Sequence, residues 1–470
     1  MKKAIVKRSL PLCLCLVLAL SLWVPAKAAS GTEYKAILEE TLEEIYFRIT
    51  DPICGSIGGE WAVLALARGG YQDEAWYGRY LKNLFPVVDE CEGVMDSAKS
   101  TEYSRVVIAL SAIGLDATKL NTGSQVYDLV SPVMKKTGGE YWAAKQGNNG
   151  PIFAIIALDS QNYFDTPAGL SARAGLIDAM LKEQNADGGW SISGGSSDID
   201  TTAMAIQALA PYYLSESKFK TLSSVSHTYK QLQDSVTDAL KYLNTVRNNN
   251  YGSDYGSVEA AAQVVVALTA LNRDAANDAL LGDVLASVLA YHLSDGGFKH
   301  LKSASTYNQM GTEQACYALV AYDRWKNGKT SLYDMTDQGM TASISVSAPS
   351  SVSVKQVASG SFQVTSSVPC VAVVKNADGT YACLTPEGSG NTRTFHTIHG
   401  SVTVVIRGDA NGDGQFDGSD ITRTKAAYLG KTSLDEIHKL AADANGDGGF
   451  DGSDITKAKA AYLGKTKLDW

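Results

Sequence analysis

The dipeptide Ala-Leu recurs at 65, 109, 157, 208, 267 and 318, at broadly even intervals. Each copy sits inside a run that is small and apolar on nearly every side: GGEWAVLALA, YSRVVIALSAIG, GPIFAIIAL, TTAMAIQALA, AAAQVVVALTAL and EQACYALVAY. A helix with no polar face must be surrounded by other helices. Between these runs lie stretches with one polar face, such as AWYGRYLKNLFPVV, SARAGLIDAMLKEQ and LGDVLASVLAYHL. They read as outer helices with one side in water. Six buried helices alternating with six half-exposed ones close into a ring. The spacing predicts a mainly α fold, an (α/α)6 toroid over 31–335, with all inner helices running the same way.

Two joints share a further pattern. KEQNADGGW (182–190) and YHLSDGGF (291–298) each end an outer helix with Asp-Gly-Gly-aromatic. The glycine pair permits a left-handed turn, and the aromatic plugs the seam. With Gln184 ahead of Gly188, Gly189 and Trp190, the first joint resembles the repeat of the squalene cyclase, terpenoid cyclase and protein prenyltransferase superfamily. The resemblance covers the repeat architecture of 31–335 and implies a fold more than a function. The Cys-Gly-Glu-Gln thioester motif found on related rings is absent, and so is the Asp-x-Cys plus His zinc set of prenyltransferases.

The stretch Asp198-Ile199-Asp200-Thr201 opens one inner helix. In class II terpene cyclases, Asp200 would match the protonating acid of an Asp-x-Asp-Asp motif. Here the third Asp is Thr201, and the ring is single and exported, which argues against terpenoid cyclisation. A first-turn acid also accepts free backbone N–H groups and meets the helix dipole. Asp198 or Ser197 can be the cap. Asp198, Asp200 and Glu259 are the candidates for catalysis if the chain is an enzyme. Parallel inner helices would bring Trp61, Glu102, Tyr103, Asp200, Tyr255, Glu259 and Glu313 to one rim, with Trp190 in a seam. Aromatic faces beside carboxylates suit sugars or cationic groups.

Residues 341–407 change character to Ser/Val alternation with sparse charge, which predicts a small β-sandwich-like spacer. Cys370 and Cys383 flank its NADG turn, and a bridge between them is one expectation. His396 and His399 read as surface residues.

Two loops of the same length and pattern follow, DANGDGQFDGSD (409–420) and DANGDGGFDGSD (443–454). Oxygen side chains fall at positions 1, 3, 5, 9 and 12, with Gly at 6. That is an EF-hand-like calcium pattern with Asp at position 12. The expected ligands are Asp409, Asn411, Asp413, Gln415, Asp417 and Asp420 in one loop, and Asp443, Asn445, Asp447, Gly449, Asp451 and Asp454 in the other. Gln415 and Gly449 would act through their carbonyls. Near-identical stretches come next, ITRTKAAYLGKT and ITKAKAAYLGKT. This duplicated loop-helix unit resembles a type I dockerin module over 408–470. The resemblance implies two calcium ions and docking onto a cohesin module of a scaffolding protein. It assigns recognition to Gly418, Ser419, Lys425 and Ala426, and to Gly452, Ser453, Lys459 and Ala460. The two sets are identical, which implies two docking orientations related by a half-turn.

Positions 1–28 read as a signal peptide: basic MKKAIVKRS, a short apolar run, then Ala26-Lys27-Ala28. No later segment is apolar enough to span a membrane. A net charge of −9 and a pI near 5.3 argue against a nucleic-acid partner. Cysteines 54, 91, 316, 370 and 383 are too sparse for a disulfide framework. Together these features predict an extracellular component of a cellulosome-like complex. Its toroid would bind a ligand or glycan. The alternatives are a glycoside hydrolase or lyase on the same ring, and a non-catalytic structural or adhesion protein.

Overall fold

The computed structural model describes residues 30–470 apart from 72, 223, 253 and 377; the expected signal peptide lies outside the described residues. The chain opens with α1 (Ser30–Arg48), α2 (Trp61–Gly69), α3 (Glu74–Glu90) and α4 (Ser100–Ala112). Two small ribbons follow, β1 (Leu120–Asn121) with β2 (Val126–Tyr127), and β3 (Lys136–Thr137) with β4 (Glu140–Tyr141). Then come α5 (Asn149–Ser160), α6 (Pro167–Lys182), α7 (Ile199–Leu214), α8 (Glu216–Thr221) and α9 (Tyr229–Asn250). The helical part ends with α10 (Val258–Ala270), α11 (Val284–Leu289) and α12 (Gln309–Lys326).

The six Ala-Leu runs are α2, α4, α5, α7, α10 and α12. Each packs on the next, and α12 closes onto α2. The ring is therefore an α/α toroid. Around it, α1 lies on α12 and α2, α6 on α5, α9 on α7, and α11 on α10. α3 buries Trp76, Tyr77, Tyr80 and Leu84 in the same core.

The outer layer departs from the expected six helices between α4 and α5. Ribbons β1–β4 and short 3-10 turns stand there instead. Residues 115–146 carry Gly123, Gly138, Gly139 and Pro132 and lack a sustained helical apolar period, so no outer helix can form.

The joints repeat one construction. The Trp190 N–H donates to Thr202 Oγ1 at 2.9 Å, and the Phe298 N–H donates to Thr312 Oγ1 at 2.9 Å. Trp190 and Phe298 are fully buried. Gln184 pins the first joint by donating to the Gly188 and Ser235 carbonyls.

Strands β5 (Ser345–Ser347), β6 (Ser353–Ala358), β7 (Ser361–Thr365), β8 (Cys370–Lys375), β9 (Tyr381–Cys383), β10 (Thr392–His396) and β11 (Ser401–Ile406) form two sheets. Their orders are β10-β7-β6 and β5-β11-β8-β9. Phe362, Val364 and Phe395 from one sheet meet Ala372, Val374, Val402 and Val404 from the other. Cys370 and Cys383 are both free. Cys383 pairs across the ladder with Val373 rather than with Cys370, so the thiols are out of register.

The two histidines expected at the surface lie in the seam between sandwich and ring. A Cβ on Gly78, within α3, would stand 2.6 Å from His396, so the helix needs glycine where the imidazole packs. His399 Nε2 pairs with Glu74 Oε1 at 3.2 Å. The sandwich also meets the irregular outer segment, where the Ser359 N–H donates to the Asn121 carbonyl at 2.7 Å.

The chain ends with α13 (Gly418–Tyr428), α14 (Glu436–Ala442) and α15 (Gly452–Tyr462). α13 packs on α15, and α14 lies on the sandwich. There Ile437, Leu440 and Ala441 cover Val371, Val373 and Val405. Phe416 and Trp470 close on the sandwich core. No helix among the described residues is long and apolar enough to cross a membrane.

Candidate functional site

Helices α7, α10 and α12 start in the same way. Asp198, Ser257 and Asn308 are their caps, each accepting a backbone N–H from one turn on, at Thr201, Ala260 and Gly311. Asp198 is thus the cap, rather than Ser197, satisfying amides that the helix cannot. Just past the cap stand Asp200 in α7 and Glu259 in α10. They occupy equivalent places on neighbouring helices.

At this end of the ring five of the six inner helices keep partly exposed residues, at Trp61, Arg105, Asn149, Phe153, Asp200 and Gln314, whereas 258–269 of α10 are buried throughout. Further along, 106–112 and 205–210 are buried throughout. The ring is therefore partly open at its amino-terminal mouth. Trp61 and Phe153 lie on non-adjacent inner helices, and their rings are 5.7 Å apart, so they meet across the lumen. Beneath them Gln207 Nε2 donates to Gln263 Oε1, and Gln263 Nε2 to Gln314 Oε1, both at 2.9 Å.

The mouth acids differ in their partners. Glu60, fully buried, pairs with Arg105 at 2.7 Å, and Arg105 also holds Glu102 at 2.7 Å. Glu313 is fully buried and accepts from the Gly58 N–H at 2.8 Å and from Gln309. Its other oxygen has no partner among the described residues. Burial pushes the Glu313 carboxyl up to about 7. Glu259 is buried, with one oxygen 2.7 Å from His300 Nδ1 and the other without a partner among the described residues. Asp200 makes no side-chain hydrogen bond to another residue among the described residues. Burial, then the neighbouring Asp198, pushes its carboxyl up to about 6, with Glu259 adding to the rise.

The expected aromatics divide. Trp61 faces the lumen, whereas Tyr103 is buried edge-on against Trp142, with ring centroids 5.9 Å apart. Tyr255 is buried, and its hydroxyl has no partner among the described residues. It lines a cavity of about 460 Å³ together with Asp198, Asp200, Tyr242, Tyr251 and Leu301. A cavity of about 600 Å³ opens at the carboxy ends of the inner helices and reaches Gln207, and one of about 730 Å³ lies outside α5 and α6. Sequence reasoning missed Arg105, His300, Gln207 and Gln263. A lone glutamine within an otherwise apolar run was the available signal for the last two.

The two calcium-type loops have matching geometry. Asp409 accepts from the Gly412 N–H at 2.6 Å and the Gly414 N–H at 2.9 Å; Asp443 accepts from Gly446 at 2.8 Å and Gly448 at 2.9 Å. Asp420 and Asp454, both fully buried, each accept three loop amides. Burial raises both carboxyls. Asp417 and Asp451 cap α13 and α15 through the Ser419 and Ser453 N–H groups, each at 2.7 Å. Asn411 sits on Asp413, and Asn445 on Asp447. The amides of Gln415 and Gly449 donate to Asp413 and Asp447. Among the described residues no three of these carboxylates converge on one point; loop amides hold them. The donor set is all hard oxygen, with one buried carboxyl closing each loop, and it fits calcium.

Ser419, Lys425, Ser453 and Lys459 are exposed, and Ala426 and Ala460 are half-buried. Tyr428, Leu429, Tyr462 and Leu463 are exposed beside them. Gly418 and Gly452 are half-buried under the other half's tyrosine: a Cβ there would stand 3.6 Å from the Tyr462 hydroxyl and 3.7 Å from that of Tyr428.

A duplicated oxygen-lined loop with a helix leaving each copy defines a calcium-dependent docking module. Residues 407–461 match the dockerin type I domain family, and this unit is a type I dockerin domain. Such domains bind calcium and dock onto cohesins. No curated protein sequence matches the chain. Among solved structures, a UGL variant titled with dGlcA-Glc-Rha-Glc aligns at 11% identity and a TM-score of 0.41, over 66% of this chain and 99% of that one. A likeness that loose carries no argument about chemistry.

Proposed function

We propose that the chain is an extracellular, cohesin-docked component of a cellulosome-like complex, exported by the signal peptide at 1–28. Asp409, Asn411, Asp413, Gln415, Asp417 and Asp420 hold one calcium ion, and their counterparts in the second loop hold another. The exposed faces of α13 and α15 meet the cohesin. The cargo is the toroid of 31–335, a prenyltransferase-like ring that binds a glycan at its amino-terminal mouth. The paired joints at Trp190 and Phe298 support that kinship. The observation that carries the glycan reading is Trp61 meeting Phe153 at the partly exposed mouth of the ring, above a rung of glutamines. Aromatic faces with convergent polar groups are what sugar rings require. Affinity electrophoresis of the calcium-loaded chain against plant polysaccharides tests it. Retardation by at least one polymer, lost in Trp61→Ala, is expected; unretarded migration in every gel would sink the reading.

A second reading, a polysaccharide-degrading enzyme, draws on Asp200. Its carboxyl is pushed up to about 6 within electrostatic reach of Glu259. A carboxyl raised toward neutrality beside a second carboxyl suits glycoside hydrolysis. Reducing-end release that Asp200→Asn abolishes would establish it.

A further inference from the structure

The cavity of about 600 Å³ at the carboxy ends of the inner helices lies on the other side of the glutamine rung from the mouth acids. Its volume is within the range of small-ligand sites, ~300–1,000 Å³. One wall comes from the segment that follows α12, and two buried arginines fix that segment. Arg68 donates to the carbonyls of Ser331, Leu332 and Asp334 at 3.0, 3.0 and 2.7 Å, and Arg324 donates to that of Thr330 at 2.8 Å. Tyr333 is thus held between two pinned carbonyls, and it lines the cavity. Its hydroxyl makes no hydrogen bond among the described residues.

A second wall is Trp325. Its Nε1 donates to Asn272 Oδ1 at 2.9 Å, and its ring stacks on Tyr322 with centroids 5.7 Å apart. The indole is therefore set in place before any ligand arrives, which lowers the cost of binding. The Asn162 amide, also on the lining, makes no hydrogen bond among the described residues. The floor is apolar, with Ile156, Val266, Ala321 and Leu332. The charged side chains on the lining cancel: Asp159 and Asp334 against Lys218 and Lys329, with Lys218 3.6 Å from Asp159. Burial alone raises the Tyr333 hydroxyl, with no neighbouring charge contributing. The site thus calls for no counter-ion. Its occupant must be uncharged, offer an apolar face to the indole and bring hydrogen-bonding groups to Tyr333 and Asn162. A purely apolar occupant would strip water from the Tyr333 hydroxyl and give nothing back, a net cost.

We propose that this cavity is a second ligand site, which binds a neutral mono- or disaccharide with its ring on Trp325 and its hydroxyls on Tyr333 and Asn162. The site is separate from the mouth and does not depend on the reading given to it above. The test is calorimetric titration of the full calcium-loaded chain at neutral pH. Its probes are cellobiose, xylobiose, digalacturonate and the glucosamine dimer. At least one of the two neutral sugars binds, and more tightly than either charged dimer. Trp325→Ala weakens that binding roughly tenfold or more, the scale of a lost aromatic anchor. Tyr333→Phe weakens it a few-fold. So does Asn162→Gly, which suits the left-handed backbone at 162 and removes only the amide. Neutral-sugar binding that all three variants leave unchanged places the sugar elsewhere on the chain and overturns the site. Equal or tighter binding of a charged dimer overturns the neutral assignment. Binding of neither neutral probe overturns the site and leaves the mouth, whose own test uses polymers, unaffected.

Discussion

Asp198 and Asp200 stand side by side at the start of α7, and only Asp198 is satisfied by the helix it begins. Asp198 accepts the Thr201 N–H at 2.7 Å, as Ser257 and Asn308 accept amides of their own helices. Asp198→Ala should therefore cost about 1 kcal/mol, the worth of a cap. Asp200→Asn at pH 4 should leave stability nearly unchanged. Urea unfolding followed by tryptophan fluorescence separates the two. Equal losses would mean that both residues serve the helix start.

Asp200 also sets a pH dependence. Its carboxyl rises from 3.8 to about 6 on folding. The folded chain then holds a proton that the unfolded chain releases, so stability falls as pH rises between these values. The contribution is full below about 4 and lost above about 6. Glu313, raised from 4.5 to about 7, adds in the same direction across a higher window. Asp200→Asn should gain on the parent chain between pH 4 and 7, by on the order of 2 kcal/mol after allowance for its partial exposure. A pH-independent difference between the two chains would contradict this.

Arg105 bridges Glu60 and Glu102 across two inner helices. Arg105→Met leaves the Glu60 carboxylate buried without its cation, a loss of about 3–5 kcal/mol. Adding Glu60→Gln should recover much of it. Thermal unfolding of the single and double variants reads the difference. A double variant no more stable than the single one would show that charge is not the cause.

Calcium removal should melt the dockerin helices, because metal-binding free energy there is folding free energy. Trp470 packs on the sandwich and lies 5.0 Å from Arg393. Chelator should therefore reduce helical circular dichroism and shift tryptophan emission together. Helical signal unchanged by EDTA would refute it. Arg407 donates to the Asp443 carbonyl at the head of loop two. Arg407→Ala should lower calcium affinity several-fold in one loop and spare the other.

The free thiols order themselves by burial. Cys383 is exposed, while Cys316 and Cys370 are buried. In native protein, Ellman's reagent should modify Cys383 first, and Cys316 and Cys370 only after denaturation. A chain whose Cys370 and Cys383 resist the reagent in denaturant without reductant would instead carry a bridge.

Several features were legible because their cause is local in the chain. The inner helices announce themselves by apolar residues on every side, as in the stretch around Ala267. The calcium loops do so because ligands and sharp-turn glycines must recur at fixed spacing, as from Asp409 to Asp420. The cap at Asp198 belongs to the same class, since its partner Thr201 lies one helical turn away. The missing outer helix between α4 and α5 was legible only in hindsight, through Gly138, Gly139 and Pro132. The seam position of His396 was not, because it depends on Gly78, which belongs to the ring at the other end of the chain.

The sequence by itself determined the inner helices, the two oxygen-lined loops and the candidate acids, because each follows from a period or a short-range hydrogen bond. Only the tertiary structure decided which acids are spent and which are free. Glu60 meets Arg105 from a neighbouring inner helix, and Glu259 meets His300 from the loop ahead of α12. Asp200 meets no such partner among the described residues. Ring closure brings such groups together, and burial then makes each unmatched charge costly, so the chemistry of the mouth is a property of the packed ring.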